Sequence, residues 1–227
     1  MFRLLGLKTI FSMALACLTL VANSVTAAPL SNTTVSWTAF ASTWAPTNIQ
    51  VLESPFTFAD GASGKIVSIA YFSTGGTTAG KWVYAYQVIF NSGAGKIHGI
   101  YISPAGSTTT VEVTPNFSFK VSKPSGAGEF PQFLSNGVTT VSGDYTDSEL
   151  VWVFQAPGIL AGQNSVVFGY VSDFHPTVAS ADLSKVNGSS SLPTPLPLVL
   201  VASPEPSGFL LLSFGLLGFV GLRRRFK

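Results

Sequence analysis

The stretch Lys81-Trp-Val-Tyr-Ala-Tyr-Gln-Val-Ile-Phe90 decides the fold class, because its side chains change character with a period of two. One face carries the large residues Trp82, Tyr84, Tyr86, Val88 and Phe90, and the other carries Lys81, Val83, Ala85, Gln87 and Ile89. Residues 91–95 then form a glycine-containing connection to a second run of β-forming residues, 96–102. The pattern predicts a β-hairpin whose aromatic face lies in a core.

The same period continues on both sides of this segment. Turn dipeptides such as Asp60-Gly61 and Asn136-Gly137 separate many of the runs, and no stretch carries an amphipathic helical pattern. We therefore expect an all-β domain over residues 28–188, an antiparallel β-sandwich of jelly-roll or immunoglobulin-like type, with a barrel as the less favoured alternative. Its further predicted strands are 35–40, 51–58, 66–72, 110–113, 117–121, 150–154 and 166–171.

Charge and cysteine content exclude several functional classes. Residues 28–203 contain six Lys, no Arg and nine Asp or Glu, so this region has a formal charge of −3 although the whole chain is +2. The predicted domain therefore lacks the basic face that nucleic-acid binding requires. The single cysteine, Cys17, lies outside it, so the domain has no thiolate metal ligand, no Cys nucleophile and no disulfide.

The N-terminus has the three zones of a secretory signal peptide, predicted over residues 1–27. Arg3 and Lys8 supply positive charge, residues 9–21 are apolar, and Val25 and Ala27 are the small residues before the cleavage point. We expect the Sec export machinery to recognise this signal helix and cleavage to follow Ala27, leaving Ala28 as the first residue. The alternative of a lipoprotein modified at Cys17 is disfavoured, because Ala14-Leu15-Ala16 is a poor lipidation motif.

The C-terminus has an equally ordered arrangement. A Ser- and Pro-rich segment, 189–203, is expected to be an extended linker. Pro204-Glu205-Pro206 follows, then an apolar run at 208–222, then Arg223, Arg224 and Arg225. As a helix the apolar run would be about 22 Å long, shorter than a hydrocarbon core of about 30 Å. It predicts a marginal transmembrane helix with its basic end in the cytoplasm.

This order of tripeptide, short apolar helix and basic end closely resembles the sorting tail of PEP-CTERM proteins. The resemblance covers residues 204–227 and implies that an exosortase, a membrane cysteine transpeptidase of Gram-negative bacteria that make exopolysaccharide, processes the chain. Pro204, Glu205 and Pro206 match the sorting motif, and Arg223, Arg224 and Arg225 match the basic stop. The middle of the chain is more loosely similar to the bodies of such proteins, which carry no assigned activity.

Few residues in the predicted domain are candidates for a chemical site. Asp144, Asp147 and Glu149 could bind Ca²⁺, could include the two carboxylates of a glycosidase, or could form a solvated turn, which is the favoured interpretation. Trp44 lies in a loop-like segment and is the best candidate for an exposed sugar contact. His98 and His175 lack the spacing of a zinc site.

These features favour a non-enzymatic protein that is exported through the inner membrane to the cell surface or extracellular matrix. We expect a structural or adhesive β-domain associated with exopolysaccharide and requiring no cofactor, with Ca²⁺ as the one candidate ion. A carbohydrate-binding module with a defined ligand is the alternative, and an extracellular hydrolase is less well supported. The expected partners are the exosortase-type transpeptidase, the export machinery and the membrane contacted by the C-terminal helix, and nucleic acid is excluded.

Overall fold

A computed structural model describes residues 32–102, 117–146, 149–186 and 192–203. The predicted signal peptide, the strand at 110–113, the sorting motif, the apolar run 208–222 and the terminal arginines lie outside these residues. Within them, no helix combines the length and apolar character needed to cross a bilayer.

The described chain consists mostly of β-strands, which confirms the all-β prediction. Two short helical turns interrupt them, a π-helical turn at Ala39–Thr43 and a 3₁₀ turn at Gly76–Thr78. The strands are β1 Asn32–Thr34, β2 Pro46–Thr57, β3 Ser63–Ser73, β4 Lys81–Ser92, β5 Lys96–Ile102, β6 Phe117–Val121, β7 Thr140–Thr146, β8 Glu149–Phe154, β9 Ile159–Leu160, β10 Gln163–Asn164, β11 Val167–Ser172, β12 His175–Val186 and β13 Leu198–Ser203.

The strands form two sheets. The first has the order β1-β6-β11-β4-β3-β2, with the short β10 also on β4, and the second has the order β13-β12-β5-β8-β7, with β9 also on β5. The strand pairs are antiparallel apart from β1 and β6, which run parallel, so the expectation of a purely antiparallel arrangement is corrected at this edge.

The predicted hairpin of β4 and β5 is wrong, because these strands belong to different sheets. β4 pairs with β3 and β11, whereas β5 pairs with β12 and β8. The connection between them crosses from one sheet to the other. Gly93 has a φ of +119° there, and a Cβ built on it would lie 2.3 Å from Ala62. Glycine is required because the crossing chain passes directly against the β2–β3 turn.

The aromatic face of β4 packs between the two sheets, as the sequence predicts. Tyr86 lies with its ring centroid 5.8 Å from that of Trp152 on β8, and Trp152 lies 5.1 Å from Phe168 on β11. All three side chains are fully buried. The two sheets therefore face each other across one shared aromatic core.

The opposite face of β4 is buried as well, against a second apolar cluster. Val83 and Ala85 are covered by aromatic residues from the segment before β2 and from the loop after β6, namely Trp37, Phe40, Trp44, Phe130 and Phe133. The predicted strand at 35–40 is wrong for this reason. Its aromatic residues enter a helical turn that folds over the sheet, and the amide of Phe40 donates to the carbonyl of Ser36.

The end of the predicted linker is also corrected. Leu198–Ser203 forms β13, an antiparallel partner of β12, and its residues Val199 and Val201 are fully buried. The hydroxyl of Tyr86 donates to the carbonyl of Leu200 at 2.6 Å, and the hydroxyl of Tyr170 accepts from the amide of Ala202 at 2.8 Å. These contacts make β13 part of the sandwich, because they tie it to both sheets.

Two neighbouring substitutions test whether β13 belongs to the folded core. Val199→Asp places an unpaired carboxylate in an apolar interior and should cost about 3 kcal/mol or more, a drop of roughly 10 °C in melting temperature. Leu198→Asp is the matched control, because the Leu198 side chain is 47% exposed, and it should change stability by about 0.5 kcal/mol or less. Thermal unfolding followed by far-ultraviolet CD measures both. Equal melting temperatures for the two variants would mean that β13 is a free linker.

Candidate functional site

The outer face of the second sheet contains the candidate site, a cleft of about 310 Å³. The strand register places Asp182 of β12 opposite Tyr101 of β5, and Tyr101 opposite Val151 of β8. Their strand neighbours Leu183, Ile102 and Leu150 are buried in the shared core. Because side chains alternate along a strand, Asp182 and Tyr101 point outward.

The wall of the cleft combines acidic, hydroxyl and apolar groups. Its lining residues come from β5, β8, β12 and the segment before β13, and they include Tyr101, Glu149, Asp182, Ser184 and Leu192. The volume is at the lower end of the ~300–1,000 Å³ found for small-molecule sites, which also mix apolar walls with a few polar groups. The cleft thus has the size of a small ligand site, with a more polar wall than most such sites have.

The Asp182 carboxylate is the most perturbed group of the cleft. Its Oδ1 atom is buried and has no hydrogen-bond donor among the residues that the structure describes. Burial raises the pKa of Asp182, and the neighbouring charge of Glu149 raises this pKa further. Both causes act against the ionised form of Asp182, so its charge is unfavourable in this position.

The lysine that lines the cleft is paired with a carboxylate outside it. Lys185 also lines the cleft, but its side chain is fully buried, and its ammonium donates a hydrogen bond to the carboxylate of Asp60 in the β2–β3 turn. The same ammonium lies 5.0 Å from the centre of the Phe58 ring. The hydrogen bond from Lys185 and a second from the amide of Ala62 lower the pKa of Asp60. Lys185 therefore joins the two sheets.

The ring of Tyr101 borders a position with no side chain. Gly99 lies two residues earlier on the same face of β5, and a Cβ built there would be 3.8 Å from Cε2 of Tyr101 and 3.0 Å from the carbonyl oxygen of Trp152. A larger residue would cover the ring edge and press on β8. Glycine at this position leaves the space beside Tyr101 open.

The three acidic residues that the sequence indicates as a candidate calcium site do not lie together in one described site. Glu149 opens β8, is half-buried and lines the cleft. Asp144 lies in β7 at the register position opposite Val151, and Asp147 falls outside the described residues. Among the described residues no group of three or more His, Cys, Asp or Glu converges on a point. The structure instead brings Glu149 together with Asp182, a residue that the sequence pattern did not indicate.

The prediction that Trp44 is an exposed sugar contact is wrong. Its side chain is 3% exposed and packs edge-on against Phe119, with 5.4 Å between ring centroids, and against Phe40 at 5.9 Å. The turn Ala39–Thr43 folds back over the first sheet and carries Trp44 into the second apolar cluster.

The two histidines are both exposed, but they lie in different settings. His98 lies in β5 next to the register shift between β5 and β12. His175 begins β12, and its ring centroid lies 5.2 Å from that of Trp82.

Comparisons with protein-family models, with curated proteins and with solved structures found no match to this chain.

The raised pKa of Asp182 predicts a pH-dependent effect of Asp182→Asn. A carboxyl group with a raised pKa binds its proton more tightly in the folded state, so stability falls as pH rises above the ordinary value of 3.8. The uncharged asparagine avoids this loss. The variant should therefore melt at a higher temperature than the wild type at pH 7, and the difference should disappear near pH 3. A lower melting temperature of the variant at pH 7 would show that the ionised carboxylate stabilises the fold.

Proposed function

We propose that this chain is an exported surface or extracellular-matrix protein whose β-domain serves as a non-enzymatic structural or adhesive unit associated with exopolysaccharide. The observation that carries the proposal is the position of β13. This strand ends at Ser203, which lies opposite His175 of β12 in the antiparallel pair. The tripeptide Pro204-Glu205-Pro206 begins at the next residue. The expected sorting motif thus comes directly after the last strand that the structure describes.

The construction of the domain supports this role. Lys and Arg are few between residues 28 and 203, and cysteine is absent there, so the fold depends on its two apolar clusters and on hydrogen bonds between layers. A stable domain of this kind suits a location outside the cell, where a protein is exposed to dilution and proteases. The N-terminal signal and the C-terminal tail give the export route, through Sec and then an exosortase-type transpeptidase at the inner membrane of a Gram-negative bacterium.

We also propose a more specific type for the two-sheet fold. A jelly-roll or immunoglobulin-like sandwich is supported by the way in which the chain passes from one sheet to the other, as it does between β4 and β5 and between β11 and β12.

The carbohydrate-binding alternative is favoured by the cleft beside Tyr101 and Asp182. The hydrolase alternative would need Glu149 and Asp182 to act as a carboxylate pair across a glycosidic bond.

The sorting step is tested by changing the tripeptide. Replacing Pro204-Glu205-Pro206 with Ala-Ala-Ala should leave membrane insertion intact but block processing, so the uncleaved chain should accumulate in the inner membrane. Replacing Ser189-Ser190-Ser191 with Ala-Ala-Ala is the matched control and should leave processing unchanged. Substituting Glu for Arg223, Arg224 and Arg225 should instead impair retention and orientation, because the cytoplasmic positive charge is lost.

Mass spectrometry of the surface fraction from a host that has an exosortase gives the readout. The wild-type protein should begin at Ala28 and end near the tripeptide. A surface protein that retains residues 208–222 and ends at Lys227 would show that the tail is a permanent anchor and would contradict the sorting proposal.

A further inference from the structure

We infer that the cleft on the outer face of the second sheet binds a neutral carbohydrate, with Tyr101 as its stacking surface and Asp182 and Glu149 as its hydrogen-bond acceptors. This inference rests on the proposed association with exopolysaccharide and gives that association a site and a class of sugar. It concerns different residues from the sorting tail, so the two proposals can fail separately.

The shape of the cleft suits a sugar ring. Tyr101 is partly exposed on the outer face, and residue 99, whose Cβ would lie 3.8 Å from its ring, is a glycine without a side chain. Leu192 adds an apolar surface to the same wall. An aromatic side chain with an apolar body and a polar tip can pack against the C–H face of a sugar while its edge stays wet. Tyr101 and Leu192 would fix the plane in which the sugar ring lies.

The acceptors of the cleft suit the hydroxyl groups of a sugar. Oδ1 of Asp182 is buried without a donor among the described residues, and a buried acceptor without a donor destabilises the protein. A sugar hydroxyl that donates to this oxygen would remove that cost. The same donation favours the ionised carboxylate, which burial and Glu149 now disfavour. Asp182 should therefore contribute strongly to affinity, as a hydrogen bond to a charged group does.

The negative charge of the cleft should favour neutral sugars over acidic ones. Glu149 and Asp182 are both acidic, and the ammonium of Lys185 is engaged with Asp60. A uronic acid or a sulfated sugar would bring a third negative charge to the two carboxylates, and like charges brought together are unfavourable. Neutral sugars are accordingly the expected ligands. Ca²⁺ is the competing occupant, but it takes six to eight oxygen ligands, and the described cleft supplies two carboxylates.

The experiment is a glycan array followed by calorimetric titration, using the full-length chain in mild detergent with EDTA present. The wild type should bind neutral oligosaccharides and should bind the matched uronate-containing ones about tenfold more weakly or not at all. Asp182→Ala should weaken binding of the best neutral oligosaccharide about tenfold or more. Tyr101→Ala should weaken it by a similar factor, and Tyr101→Phe, which keeps the ring, by no more than about twofold.

Glu53→Ala is the control variant, because Glu53 is an exposed acid of the first sheet that pairs with Lys65. It should bind like the wild type, and melting temperatures should show that all variants are folded. The inference would be overturned by no binding to any neutral glycan, by a preference for acidic glycans, or by equal loss in Asp182→Ala and Glu53→Ala. It would also be overturned if a separate titration without EDTA showed binding of Ca²⁺ alone that Asp182→Ala abolishes. If the wild type binds a neutral glycan and Asp182→Ala does not weaken binding, the site is wrong although the proposed association stands.

Discussion

Strand β4 is buried on both faces, and the rest of the described fold depends on this constraint. From Trp82 to Ile89 every side chain is buried, including that of Gln87. A strand of this kind needs an apolar layer on each side. The second sheet supplies one layer, and the aromatic turn and loop around Phe40 and Phe130 supply the other. The sandwich is thus a pair of sheets with an additional irregular cover.

Gln87 shows how a polar group is accommodated in this arrangement. Its amide nitrogen donates to the carbonyls of Leu134 and Ser165, each at 2.8 Å, and its carbonyl accepts from the amide of Leu134 at 2.7 Å. The side chain is therefore satisfied while it joins the central strand to the covering loop and to the start of β11. Tyrosine hydroxyls do the same on the other face, since Tyr84 donates to the carbonyl of Phe174 and Tyr86 to that of Leu200. These bonds connect the layers of a domain that has no disulfide.

The period of two in the sequence was sufficient to predict most of the strands of the first sheet and the inward direction of Trp82, Tyr84 and Tyr86. It could not assign strands to sheets, because a hairpin and a crossing between sheets have similar connecting segments, as at Gly93. It missed β12, whose inward residues include the small Ala179 and Ala181, and β13, which follows a proline-rich segment that is typical of a linker. The cleft was missed for the same reason, since Asp182 gains its neighbours Tyr101 and Glu149 only through the pairing of β12 with β5 and of β5 with β8. Trp44 was misplaced because a local loop pattern does not report which sheet the loop covers.

The most direct test of the two-sided burial of β4 is hydrogen exchange of its backbone amides, measured by NMR on the folded protein. Amides of residues 83–89 should exchange at the slowest rates in the domain, because both neighbouring strands and both covering layers must open before water reaches them. Amides that point outward from the edge strand β2 should exchange much faster. Exchange at residues 83–89 as fast as at the edge of β2 would contradict the account, because it would mean that one face of the central strand is open to solvent.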